Sequence, residues 1–163
     1  MREIKFRGKR LDNGEWVYGY YYRRRTWNDK EGQEHYILTV GKDITYEVDT
    51  ETVGEYTGLK DKNGKEIYKG DKIGLPYVNP MGDIDDKYDP NTVYPVVYKH
   101  GCFGFERVNF QPLLSWLKEE KGEYVCNFGN KIVVTNYFYG EVIGNIYDNP
   151  ELLNETSDNT EGE

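Results

Sequence analysis

The run Tyr56 to Leu75, YTGLKDKNGKEIYKGDKIGL, constrains the fold more than any other stretch, because two short apolar-alternating segments flank an Asn-Gly pair and a Gly-Asp pair follows. Asn and Gly tolerate positive φ, which a two-residue type I′ hairpin turn requires at both central positions. Asn63 and Gly64 are therefore expected to form such a turn, with Lys62 opposite Lys65. Tyr56, Thr57 and Leu59 before it, and Glu66-Ile67-Tyr68 after it, read as the paired strands. Gly70 permits a second sharp reversal, Asp71 can accept a local backbone N–H, and Ile73 and Leu75 then point into a new core. The same turn chemistry recurs at Asp12-Asn13-Gly14, between a segment that places Ile4 and Phe6 on one face and the aromatic-rich run Glu15 to Tyr22.

Further along, Tyr36 to Val40 suits a buried strand and Thr45 to Val53 an extended one. Pro76, Pro80, Pro90 and Pro95, with Asp83, Asp85, Asp86 and Asp89 among them, argue for a mobile solvated insertion instead of long strands. Its acidic spacing lacks the glycine and closing glutamate of a calcium loop. Val93 to Lys99 and Cys102 to Val108 form a hairpin turning at His100-Gly101, with Pro95 marking an edge or bulged strand. Pro112 opens the one expected helix, lined by Leu113, Leu114, Trp116 and Leu117 and stopped after Lys121 by Gly122. Tyr124 to Phe128 and Lys131 to Tyr139 pair across Gly129-Asn130, and Glu141 to Tyr147 closes the body. Asn154 to Glu163 contains no apolar residue and is expected to be a disordered acidic tail.

Three runs in this order, REIKFRGK at the start, TGLKDKNGKEIYKGD in the middle and EVIGNIYDNPELL near the end, resemble the YopX family of phage and prophage proteins. The chain departs from that family's pattern at Lys69, where an acidic residue is usual, and at Lys72, where an apolar one is. The resemblance implies a mainly β protein with an SH3-like barrel, to which the residues themselves add antiparallel hairpins and one short helix. It implies no catalytic residue. The expected organisation is a single domain over residues 1–153, with a subdomain over 1–55 and a barrel over 56–147, followed by the tail.

The net charge of -8 argues against a polyanion partner, but Asp148 to Glu163 alone carries six acids and no base, leaving the body near -2. The first 25 residues hold eight bases against three acids. Arg10, Arg23, Arg24 and Arg25, with Trp27 for stacking, are accordingly the candidate nucleic-acid contacts. The competing reading is a solvated strand end whose arginines pair with acids, and it ranks first because no nucleic-acid module signature accompanies the cluster. The structural turn residues are Asn13, Gly14, Asn63, Gly64, Gly70 and Asp71.

His35 lacks a nucleophile partner in sequence, and His100, Cys102 and Cys126 lack the paired spacing of a zinc site. No catalytic residue, metal or cofactor is assigned. Two unpaired cysteines and the lack of an apolar leader or span point to the cytoplasm of a bacterial host, with no membrane partner. The sixteen tyrosines follow from strand propensity. A non-enzymatic protein-interaction module that forms a homo-oligomer or binds a phage or host protein is the leading expectation, ahead of a nucleic-acid-associated phage protein. Self-association is expected through unpaired edges at the Pro95 strand and the Tyr18 to Tyr22 strand.

Overall fold

The computed structural model describes residues 3–25, 33–78, 84–106, 109–126 and 129–153. The chain divides into two units: residues 1–58 with 68–70, and residues 59–67 with 71–163. The expected tail, 154–163, lies outside the described residues.

The first unit is built on one antiparallel sheet. Its strands are β1 (Phe6–Lys9), β2 (Trp16–Arg25), β3 (Gln33–Thr39), β4 (Thr45–Glu47), β5 (Gly54–Lys60) and β6 (Glu66–Tyr68), in the order β4-β3-β2-β1-β5-β6. The tip of the β5–β6 hairpin belongs to the second unit. A 3-10 turn at Thr50–Thr52 precedes β5, capped by the Asp49 carboxylate accepting the Glu51 N–H. Val17, Ile37 and Val48 are buried together on one face, with Phe6, Tyr21, Tyr46 and Val53 packed around them. Each such aliphatic burial stabilises the unit by about 1.5–3 kcal/mol.

The second unit carries β7 (Asp71–Val78), β8 (Ile84–Pro95), β9 (Val97–Lys99), β10 (Cys102–Glu106), β11 (Phe110–Pro112), β12 (Leu117–Cys126), β13 (Gly129–Phe138) and β14 (Glu141–Asn145), with 3-10 turns at Leu113–Trp116 and Pro150–Leu153. They form sheets β14-β7-β8, β11-β10-β9 and β12-β13. Ile67, Ile73, Leu75, Val96, Phe103, Phe105, Leu113 and Phe138 make one core. Tyr94 stacks on Phe105 at 5.3 Å between centroids, and Trp116 meets it at 5.8 Å.

A buried carboxylate organises this unit. Asp61 Oδ1 accepts the N–H groups of Asn63 and Lys65 at 2.9 Å each, and Oδ2 accepts the Val142 N–H at 2.9 Å. The Lys62 N–H adds a bond to the Gly140 carbonyl at 3.3 Å. The tip of the β5–β6 hairpin is thereby tied to β14, and one donor along that strand is capped by a side chain.

The fold is mainly β and antiparallel, as expected, and several finer expectations are corrected. No sheet closes on itself among the described residues, so the SH3-like barrel is not seen: β5 and β6 continue the sheet of the first unit, while β7 pairs with β8 and β14. No type I′ turn forms at Asn63-Gly64. Only Gly64 has positive φ, 79°, and the Asp61–Lys65 closure leaves a three-residue loop, because the Asp61 carboxylate holds two N–H groups inside the turn. Asp61, not Lys62, therefore faces Lys65. Asn13-Gly14 behaves similarly, in a four-residue loop where Gly14 alone has positive φ, 72°. The turn with positive φ at both positions is His100-Gly101, at 52° and 81°. Gly70 reverses the chain at φ 85°, and Ile73 and Leu75 are buried as expected.

The helix expected from Pro112 shrinks to the single 3-10 turn at Leu113–Trp116, with Leu117 already extended. Its remaining residues form β12, paired along its whole length with the next strand, the Val- and Ile-rich β13, a partner that periodicity within the segment cannot reveal. Cys126 pairs with Gly129, so Gly129-Asn130 lies inside the strand and is not its turn. The expected insertion is largely β8, whose prolines are accommodated by register shifts opposite Gly74, Pro76 and Val78 and by its edge position.

In the first unit, Phe6 packs against the core as expected, whereas Ile4 is exposed, and Arg7 on the opposite face is buried because rings cover it there. Of Tyr36 to Val40, Ile37 alone is buried. Thr45 to Val53 is interrupted by the 3-10 turn. The Tyr18 to Tyr22 strand is not an edge, since β2 lies between β1 and β3.

Candidate binding face of the N-terminal sheet

Alternation along β2 puts Trp16, Tyr18, Tyr20, Tyr22 and Arg24 on one face and Val17, Gly19, Tyr21, Arg23 and Arg25 on the other. The second face carries the Val17 core. The first carries the rings, and Tyr18, Tyr20 and Tyr22 are 47%, 52% and 42% exposed. Cross-strand register extends this tyrosine face to Tyr36 and Leu38 on β3, opposite Tyr22 and Tyr20, and to Glu47 on β4, opposite Tyr36.

On the β1 side, Lys5, Arg7 and Lys9 share the face, and rings already engage all three. Arg7 lies 4.7 Å from the Trp16 centroid and 5.1 Å from that of Tyr68. Lys5 sits 4.8 Å over Tyr56, and Lys9 sits 5.5 Å over Trp16. Such contacts contribute about 0.5–2 kcal/mol each, more where water is excluded. Tyr18 meets Tyr68 edge-on at 5.6 Å, and Tyr22 stacks on Tyr36 at 5.5 Å.

At the far end of β2, the Arg24 guanidinium donates to Glu34 at 2.8 Å and lies 5.1 Å from the Tyr36 centroid. The Tyr36 hydroxyl donates to the same carboxylate at 2.7 Å. These bonds, the tyrosine's first and the arginine's second, hold the Glu34 carboxyl below its ordinary pKa. The bond to Glu34 in turn pushes the Tyr36 hydroxyl up, and Arg24 is likewise raised by Glu34.

The five sequence-derived candidates do not come together. Arg10 follows β1 on the opposite face, 4.1 Å over the Tyr46 ring and bonded to both Asp12 oxygens, which raises its pKa and lowers that of Asp12. Arg23 and Arg25 share that opposite face, Arg23 donating to Gln33 at 3.0 Å. The length of β2, about 30 Å at 3.3 Å per residue, separates them from the Arg10 end. Arg24 alone is on the tyrosine face, and Trp27 lies outside the described residues.

His35 stacks on Tyr21, its Nδ1 2.5 Å from that hydroxyl and 3.3 Å from Thr50 Oγ1. His100 packs edge-on against Phe110, and Cys102 is half-buried. Among the described residues no group of three His, Cys, Asp or Glu side chains is placed to hold a metal, and no helix is long and apolar enough to cross a membrane.

With this architecture in place, the sequence match is informative: the family described as YopX protein matches residues 5–154. The chain belongs to the YopX family. A solved structure similar to this YopX-family chain is that of protein EF1440 from Enterococcus faecalis, 20% identical over 94% of this chain and 99% of that one, with a TM-score of 0.48. No curated protein matches the chain.

Sequence reasoning missed the Lys5, Arg7, Lys9 row and Glu47. The signal was present as K-x-R-x-K at one end and W-x-Y-x-Y-x-Y-x-R in the next strand, two period-2 series that a hairpin sets side by side.

Proposed function

We propose that this YopX-family chain is a non-enzymatic protein-interaction module, a phage- or prophage-encoded accessory protein of the bacterial cytoplasm, and that it binds polypeptide on the tyrosine face of its first sheet. The observation that carries this reading is the exposure of Tyr18, Tyr20 and Tyr22 in one row beside cations that are already held by rings or carboxylates. Tyrosine offers large contact area and a hydroxyl at small entropic cost, which suits a protein surface. A polyanion would instead need cations free to neutralise phosphates, and the first unit has eleven Lys and Arg against eleven Asp and Glu.

Fluorescence anisotropy with single-stranded DNA separates this reading from the nucleic-acid one. The expected result is no binding at physiological salt and, at low salt, weak binding whose log affinity falls with a slope of about 2 against log salt, for the three arginines that share a face. Submicromolar binding at physiological salt, lost on changing Arg10, Arg23, Arg24 and Arg25 to glutamine, would overturn the polypeptide reading.

A further inference from the structure

The tyrosine face is polar from side to side. Lys5 and Lys9 lie on its β1 side, Lys5 with Glu3 3.6 Å away; the exposed rings and Arg24 run down its middle on β2; and Glu34, bonded to Arg24, and the exposed Glu47 lie on its β3 and β4 side. A surface with opposite charges flanking a central apolar stripe is complementary to itself under one rotation and not under another. Rotation by half a turn about an axis along β2 sets the lysine side of one copy over the glutamate side of its mate and ring row over ring row. Rotation about an axis across the strands sets lysines on lysines. The unit's balance of eleven bases and eleven acids leaves no net charge to oppose the meeting, although the whole chain carries -8.

We propose that the polypeptide bound by the tyrosine face is a second copy of this chain, packed face to face about a twofold axis along β2; this rests on the reading that the face binds polypeptide. An axis along β2 preserves level along the strands, so Tyr20 meets Tyr20 of the mate, and Arg24 meets Arg24 with each guanidinium already neutralised by its own Glu34. Lys5 stands level with Tyr20, because Phe6 pairs with Gly19, and Glu47 stands level with Tyr22 through Tyr36. The offset is one two-residue step along the strands, about 6.7 Å, and one strand spacing across them, about 4.8 Å, together about 8 Å and within the combined reach of a lysine and a glutamate side chain. The interface is isologous, with each Lys5–Glu47 approach made twice. Three rings and their neighbours cover an area at the small end of specific interfaces, so association belongs to the micromolar range.

Sedimentation equilibrium of the full chain from about 1 to about 300 µM tests this. The expected result is a monomer–dimer equilibrium. Tyr20→Glu and Tyr20→Lys each weaken association by about tenfold or more through like charges at the axis, and their equimolar mixture restores it. Lys5→Glu and Glu47→Lys should behave in the same reciprocal way, and that pair fixes the direction of the axis. A wild-type chain that remains monomeric throughout overturns the inference, as does a Tyr20→Glu variant that dimerises like the wild type, or a Tyr20 mixture no tighter than its components. Since Tyr20 is half exposed, its variants fold; circular dichroism verifies this, and the Tyr20 pair decides even where Lys5→Glu disturbs β1. A photoreactive residue at position 20 that joins a different polypeptide and never a second copy overturns the inference while leaving the polypeptide reading in place.

Discussion

Asp61 shows how one side chain decides a backbone geometry. Its carboxylate satisfies three N–H groups inside the second unit while itself 1% exposed, so its loss leaves three partly buried donors without their charged acceptor. Asp61→Ala is expected to cost about 3 kcal/mol in urea denaturation, since bonds to a charged acceptor are the strong ones. The same geometry ranks the turn residues: Gly64→Ala costs about 1 kcal/mol for its left-handed φ, whereas Asn63→Ala stays within about 0.5 kcal/mol, a surface change at an ordinary φ. The sequence marked where this chain reverses but not the turn type, because Asn-Gly is compatible with both loops and only the Asp61 contact chooses.

Lys72 is the complementary case. It is fully buried, donating to the carbonyls of Asn149 and, at 3.3 Å, Pro150. Burial holds its pKa below the ordinary lysine value, with Glu151 partly opposing the shift. The unfolded chain therefore keeps this proton to higher pH than the native one, and stability rises with pH between the lowered native pKa and the ordinary value. Lys72→Leu should remove that rise in a series of denaturation curves at alkaline pH. A rise of equal size in the variant would show that another group carries it. Lys72 had already stood out as a departure from the family pattern, but its burial needed the fold, since an isolated lysine on a strand reads as solvated.

At the scale of elements, short-range signals placed the hairpins of β1–β2, β5–β6 and β9–β10, where strands are separated by a few residues with distinctive φ. They failed where helical spacing or proline dominates a segment and its strand partner decides the outcome. Leu113 to Lys121 has helical spacing and a proline start, yet β13 supplies a ten-residue partner that turns most of it into β12. The proline-bearing segment before Pro95 is paired because β7 tolerates register shifts against it. Gly74 is part of that accommodation: a Cβ there would lie 2.7 Å from the Tyr88 ring. Gly74→Ala should thus cost about 1–3 kcal/mol by overpacking, and combining it with Tyr88→Ala should cost less than the sum of the two changes. Additive losses would mean that Tyr88 does not cross Gly74.

At the scale of the molecule, net charge was the least informative quantity, because the acids gather in the second unit while the first is balanced. The basic cluster legible at the N-terminus is spread by strand alternation over two faces and both ends of a sheet. The same alternation gathers tyrosines that are merely frequent in the sequence into one exposed row. Period 2 was therefore readable, and so was the face that carries Phe6 to the core; what was not is that the other face of β1 is covered as well, since Arg7 is buried under rings.

The claim that the tyrosine face is the working surface is tested most directly by photocrosslinking in bacterial cells. A photoreactive amino acid is placed at position 20 on that face and, in a second variant, at position 25 on the other. The expected result is a discrete polypeptide adduct from position 20, abolished by Tyr18→Ser with Tyr22→Ser, and none from position 25. Adducts from position 25 alone, or nucleic acid joined to position 20, would contradict it.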